Sequence, residues 1–541
     1  MASSYKVRLS DDILLMILKL VGKEDQAAFD DYLLKETAIV SRRWDDWGDR
    51  MIYEHSEWDH HLENYPIDGE IDDNPPRSTL LQALGVCKHW YSLLSKTPSM
   101  WTVLEISFRE GAAALEHART FLHRSESCPI QITILWDDPT WMLPLKEQDE
   151  VPPMSREEIM AGVHLGSVIQ ELYAHVHRWR EFTLRTTSIA HTYQALSLIP
   201  RPSIHPAHKL QKLHLQFVHN PRHAAYHIGE PSLFPGSVPP IRNLLLFGIS
   251  WAWPASSTLS SNLVDLRIHY DAYENSDGNN SRTGREAEIL SQFLGTLVNL
   301  RTLALEVDLN SFDKDAIKLP HLNSLAIKSG SMPSWAVKFI QNVKMPVLRI
   351  LTLCKASRYG SNLNCLIHEL VKHTDPENSE DPLELNELHL INFETFDLDS
   401  DVLRRLYIQI STVETLTLGP VNKRPVRRLQ NIPLAMGLLP TSGGLSDLPL
   451  PRLRSLTVFD IPEQLLRRIV LERQSLAIPL EELHCHYDEG DNPRAGDDWQ
   501  HQVKKYNRIN SLESVHYTDV VARRWTELMI RDKWKVATTN V

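Results

Sequence analysis

Histidine is the residue type here whose spacing could support chemistry. His214, His389, His484 and His516 each hold the fifth place of a recurring six-residue pattern, and His269 and His486 hold the next outward place. Residues two apart on a strand point to one side, so His484 and His486 could approach a third metal ligand. The commoner use of such positions is a polar strand face for protein contact, and metal is therefore not expected. His368-Glu369-x-x-x-His373 is one residue longer than the two-histidine zinc helix, and a five-residue step turns the rings to different faces. His60-His61 reads as solvated surface. The sequence contains no phosphate-cradling glycine loop, dinucleotide fingerprint or nucleophile elbow. No constellation of nucleophile, base and anion hole is visible, so neither catalysis nor a cofactor is expected.

The histidines belong to a repeated element. The hexad apolar-x-x-apolar-x-apolar occurs as WREFTL (179), LQKLHL (210), IRNLLL (241), LVDLRI (263), LRTLAL (300) and LNSLAI (322). It continues as LRILTL (348), LNELHL (385), VETLTL (413), LRSLTV (453), LEELHC (480) and LESVHY (512). Successive starts lie 22 to 40 residues apart, the length of one strand-and-return unit. On a strand the fourth and sixth places bury together while the third and fifth face outward. One such hexad could be any buried strand, but a dozen at this spacing predict a repeat array. Helical periodicity falls between them at Glu288–Leu300, Trp335–Val343, Leu363–His373, Val402–Ile410 and Pro462–Arg473. Loops are expected at Asp271–Arg285, Thr374–Pro382 and Gly419–Pro451.

Composition bounds the possibilities. A chain of 541 residues exceeds one ordinary core and implies several domains or one elongated array. A net charge of −12 argues against nucleic-acid binding, which depends on neutralising phosphates. No apolar run is long enough to span a bilayer, so no membrane association is expected. The first residues, MASSYKVRLSDD, lack the apolar core of a secretory signal. Five scattered cysteines without a C-x-x-C pair fit reduced thiols, and hence cytoplasm or nucleus.

The amino-terminal third carries a different signal. Leu9 to Val21 reads as a helix that Ser10 can cap, with Asp11 and Asp12 in its first turn and Leu9 and Leu14 placed as a staple. Its apolar face is Ile13, Leu14, Ile17, Leu20 and Val21. Leu80, Leu84, Cys87, Tyr91 and Leu94 recur at helical steps, and Thr97-Pro98 ends that helix before Trp101. Together the two stretches resemble the halves of an F-box, with Val86-Cys87-x-x-Trp90 and Pro98-Ser-x-Trp101 as the signature of the second half. The first half departs from the family in having Ser10 where a proline is usual. Residues 22–79 separate the halves and read as an insertion, because only the later copy carries the Pro-Ser-x-Trp ending; Val40–Trp44 is the alternative continuation. FLHRSESCPIQITI and HRWREFTL resemble the connector of the large fungal F-box family, especially that of mushroom-forming fungi.

The resemblance implies an α/β chain in four parts. These are an all-helical F-box-like module at 1–106 with the insertion at about 22–79, and a helix-and-strand connector at 107–175. An irregular leucine-rich repeat arc at 176–517 follows, a curved parallel sheet with helices on its convex side. A capping helix at 518–541, containing Trp525, Met529 and Trp534, completes the chain. The convex turns lack the usual asparagine: Val218, Asp308 and Phe393 stand there. The function implied is that of the substrate receptor of a Skp–cullin–F-box ubiquitin ligase. Leu9, Ile13, Leu14, Ile17, Cys87, Trp90, Leu94 and Trp101 would meet the Skp-type adaptor. Lys212, His214, Glu306, Lys328, Glu387, His389, Glu482 and His484 would face an unidentified protein substrate on the concave side. The alternative is a leucine-rich interaction or scaffold protein with no ligase association, whose first helices merely cap the array.

Overall fold

The computed structural model describes residues 11, 13–20, 79–138, 141, 155–199, 206–217, 234, 239–249, 262–270, 281–307, 317–329, 334–355, 363–374, 383–391, 400–419, 432–439, 448–459, 461 and 463–486. Leu9, Ser10, most of the insertion at 22–79, the hexad at 512 and the capping segment at 518–541 lie outside these residues. The described residues fall into two compact units, 11–249 and 262–486.

The first unit begins with helix α1, residues 13–20, and continues with α2 (Thr79–Leu84), α3 (Lys88–Ser95) and a 3-10 turn at Pro98–Trp101. Five strands follow with helices between them: β1 (Val103–Ser107), α4 (Ala113–Arg124), β2 (Ile130–Trp136), α5 (Arg156–Tyr173), β3 (Trp179–Thr186), α6 (Ile189–Leu198), β4 (Lys212–Phe217) and β5 (Asn243–Phe247). They pair in sequence order, all parallel. The ladder thus opens with two strands that precede the first hexad; β2 alternates isoleucines where later strands use leucine.

Two features of this unit depart from the sequence reading. The single helix expected over 80–94 is broken at Gly85–Cys87. Gly85 and Val86 donate into short turns to Gln82 and Ala83, and Cys87 restarts the chain as an extended cap. Glycine followed by a β-branched residue is a weak helix interior, and packing of the two pieces decides the outcome. Helix α6 was not anticipated; its apolar periodicity is blurred by His191, Thr192 and Gln194. It approaches α5 closely because Gly162 and Gly166 leave room, a Cβ at either position falling within 2.9 Å of the Gln194 amide.

Among its described residues the second unit places six helices between the eight strands of its ladder. Its elements are β6 (Asp265–Tyr270), α7 (Ser281–Gly295), β7 (Thr302–Val307), β8 (Ile317–Lys318), β9 (Ser324–Ser329), α8 (Ser334–Asn342), β10 (Val343–Lys344) and β11 (Ile350–Lys355). There follow α9 (Leu363–Thr374), β12 (Glu387–Ile391), α10 (Ser400–Gln409), β13 (Thr415–Leu418), α11 (Ile432–Met436), β14 (Ser455–Phe459), α12 (Glu463–Ser475) and β15 (Glu482–His486). The sheet runs β6-β7-β9-β11-β12-β13-β14-β15, parallel throughout, while β8 and β10 pair separately. The fourth hexad residue of every strand falls in one register row: Leu266, Leu303, Leu325, Leu351, Leu388, Leu416, Leu456 and Leu483, all buried. Eleven of the twelve hexads lie on strands, three in the first unit and eight in the second. Helix α7 starts seven residues earlier than its apolar periodicity does, through the polar first turns of residues 281–287, and α11 occupies part of the expected 419–451 loop. Among the described residues no helix is long and apolar enough to cross a membrane.

Candidate functional site

In the first unit, α1 lays Leu14 and Leu18 against Ala83 and Leu94, with Leu84, Trp90, Leu93 and Met100 closing the cluster. His89 Nε2 lies 2.9 Å from Asp11 Oδ1, joining α3 to the start of α1 at the surface. The opposite side of α1 is uncovered: Ile13 is 43% exposed, Met16 56%, Ile17 39% and Leu20 54%. Val86 and Tyr91 are exposed beside α2 and α3. Four large apolar side chains on eight helical residues form an exposed apolar patch.

The residues expected to meet an adaptor therefore divide. Ile13, Ile17 and Cys87 are exposed; Leu14, Leu94 and Trp101 are buried; Trp90 is half-buried; Leu9 lies outside the described residues. Trp101 is a structural strut. Its Nε1 donates to the Leu94 carbonyl at 2.8 Å, its ring meets Phe121 edge-on at 4.9 Å, and the Arg124 guanidinium covers it at 4.2 Å. Met16, Leu20, Val86 and Tyr91 were not among the expected contacts. The i, i+3, i+4, i+7 spacing of Ile13, Met16, Ile17 and Leu20 was the available signal.

The sheet face holds the second set. On β6, β7 and β9, His269, Glu306 and Lys328 share one register row. Glu306 takes His269 Nδ1 at 2.5 Å and Lys328 Nζ at 2.7 Å. Burial alone raises the Glu306 carboxyl, but the charges and hydrogen bonds of His269 and Lys328 overcome it and hold the group well below the usual carboxylate range. Beside it Arg267 clasps Asp265 with two bonds, at 3.0 and 2.6 Å. On β12, buried His389 contacts Thr417 Oγ1 at 2.9 Å and Glu387 Oε2 at 3.3 Å. In the first unit, Lys212 lies 3.8 Å from Glu181 and His214 is buried.

The eight expected substrate contacts thus keep their alternation on the strands but not a common exposure. His214, Glu306, Lys328 and His389 are buried, Lys212 and Glu387 are half-buried, and Glu482 is exposed and accepts from Ser455 Oγ at 3.1 Å. His484 lies on β15 in register with Thr457. Glu369 is paired within α9 to Lys372 and His373, at 3.0 and 3.6 Å. Among the described residues no three histidine, cysteine or acidic side chains gather as a metal site. No protein-family model matches the chain, and no curated protein matches it.

Proposed function

We propose that this chain is a non-catalytic receptor: an F-box-like helical module that docks on a Skp-type adaptor, followed by a leucine-rich repeat array that binds a protein substrate for ubiquitination. The observation that carries the reading is the packing of α1 onto α2 and α3. Residues on either side of 22–79 close one small core and still leave Ile13, Met16, Ile17 and Leu20 uncovered. A module that needed only to cap the strands would have no use for that second apolar side. Catalysis would be by proximity: binding raises the substrate's effective concentration beside the ligase. The test is co-purification of the full chain with a Skp-type adaptor. Wild type captures the adaptor, and Met16→Glu with Ile17→Glu abolishes capture while the fold is retained. A wild-type chain that captures no adaptor overturns the reading.

A specific observation favours the scaffold alternative. Part of the charge on the sheet face is bonded internally and shielded from water, as in Glu306 with His269 and Lys328 and in Arg267 with Asp265. A reader surface usually keeps such groups available. In that reading the chain is a monomer without adaptor, and the same pull-down separates the two.

A further inference from the structure

The turns that feed β7, β9 and β11 carry a surplus of positive charge that neither the docking face nor the sheet face uses. Residues 296–302, 317–324 and 343–350 contain Arg301, Lys318, His321, Lys344 and Arg349 but no carboxylate, in a chain whose 69 Asp and Glu outnumber its 57 Lys and Arg. Backbone bonds hold the three turns side by side: Asn323 N donates to Arg301 O at 2.8 Å, and Arg349 N to Asn323 O at 2.9 Å. On their other flank β8 and β10 set Lys318 and Lys344 in register, and Leu319 N donates to Lys344 O at 3.0 Å.

The result is two rows of cations with an apolar strip between them. Lys318 and Lys344 stand before the turn tips, Arg301 and Arg349 after them, and all but half-buried Arg349 are exposed. The tips present Val298, 51% exposed, and Val347, 40% exposed, with Pro320 and Pro346 also at the surface. Arg349 reaches Glu384 of the next turn at 2.8 Å. Among the described residues neither the Arg301 guanidinium nor the Lys318 ammonium has a partner. Like charges on adjacent strands repel, so Lys318 beside Lys344, together with the unanswered Arg301, favours a ligand that brings carboxylates.

We infer that these turns dock an acidic amphipathic helix of a partner protein, laid across the tips with its apolar stripe on Val298 and Val347. Spacing selects the helix. Arg301 and Arg349 enter strands two apart in the ladder, about 10 Å. Side chains at i and i+7 of an α-helix lie on one face about 10.5 Å apart. Lys318 and Lys344 are one strand spacing apart, about 5 Å, which matches an i, i+3 or i, i+4 pair on the other flank of the stripe. Arginine forks take discrete carboxylates in two parallel bonds. A lipid surface is the poorer fit, because interfacial anchoring uses Trp, Phe or Leu and the tips offer valine and proline. The inference holds whether the chain is a ligase receptor or a scaffold.

The probe is a fluorescein-labelled peptide of about 18 residues, long enough to be helical in water, with a leucine stripe flanked on both sides by glutamate. Its control carries glutamine at every glutamate, and fluorescence anisotropy with the full chain reads binding. The glutamate peptide binds about tenfold tighter than the control, the scale of several exposed ion pairs acting together, and added salt narrows the gap. Arg301→Ser with Lys318→Ser removes the preference. Arg242→Ser with Arg467→Ser, exposed arginines elsewhere that take away the same charge, leaves it intact. Circular dichroism confirms that each variant folds, and vesicles of phosphatidylserine and phosphatidylcholine do not retain the chain. No binding of either peptide, equal binding of the two, or a preference that survives Arg301→Ser with Lys318→Ser overturns the inference. So does an equal loss in the control variant, or vesicle capture that Arg301→Ser with Lys318→Ser abolishes.

Discussion

Leu14 and Leu94 lie in the same buried cluster although residues 22–79 separate their helices, so α1 owes its position to α3. The relationship separates two kinds of apolar residue on one helix. Leu94→Ala removes a fully buried side chain and should destabilise the first unit by about 2–5 kcal/mol. Met16→Glu, on the exposed side, should change stability by about 0.5 kcal/mol or less. Urea denaturation of both variants decides this. Equal losses would mean that the exposed side is covered in solution.

How much of this was legible in the sequence depends on the element. The leucine row from Leu266 to Leu483 was readable because a strand's two-residue alternation forces the fourth and sixth hexad places into one layer. Helices α8, α9, α10 and α12 matched their apolar periodicity to within two residues. Trp101 was legible as a large apolar residue suited either to the helical core or to a docking face; the choice was not legible, because its partners Phe121 and Arg124 come from the next helix. The pairing of Glu306 with His269 and Lys328 was hidden for the same reason. Its members lie on three strands, and hexad spacing says only that each faces outward.

That triad makes a sharp stability prediction. Glu306→Gln leaves the Lys328 ammonium, 6% exposed, without its carboxylate, and should cost about 3–5 kcal/mol. Replacing both residues, Glu306→Met with Lys328→Met, should recover much of that loss, since a well-packed apolar pair avoids burying charge. Because the folded carboxyl sits below its ordinary value of 4.5, its contribution is present above that pH and declines as pH falls through the folded value. Chemical denaturation of wild type and both variants at neutral pH tests the pair. A double variant no more stable than Glu306→Gln would contradict this.

Arg473 predicts a loss of a different origin. Its side chain is fully buried, and desolvation pushes its pKa down to about 10, so it stays charged at neutral pH. It donates to three carbonyls that precede β14, at 3.2, 2.9 and 3.3 Å. Arg473→Met keeps the apolar stem and leaves those carbonyls to water or to nothing, a loss of about 2–4 kcal/mol. Amide hydrogen exchange should locate the change, with protection falling first around β14 and α12. Uniform loss across the second unit would argue that the residue acts on global stability alone.

His191 links the first unit to pH. Its ring is buried between α5 and α6, Nε2 bonds the Glu158 carbonyl at 2.8 Å, and Trp141 meets it edge-on at 4.9 Å. Burial lowers its pKa, and the nearby Glu158 carbonyl and carboxylate, which raise it, do not offset that. The unfolded chain therefore binds a proton on this ring at a higher pH than the folded one, near 6.5. Stability is full above that value and falls as pH drops below it, because protonation favours the unfolded state. His175, lowered by burial in the same unit, acts in the same direction. Urea midpoints measured from pH 7.5 to 5 should decline, and His191→Gln should flatten the slope while lowering stability at neutral pH. A slope unchanged in His191→Gln would show that the proton is taken up elsewhere.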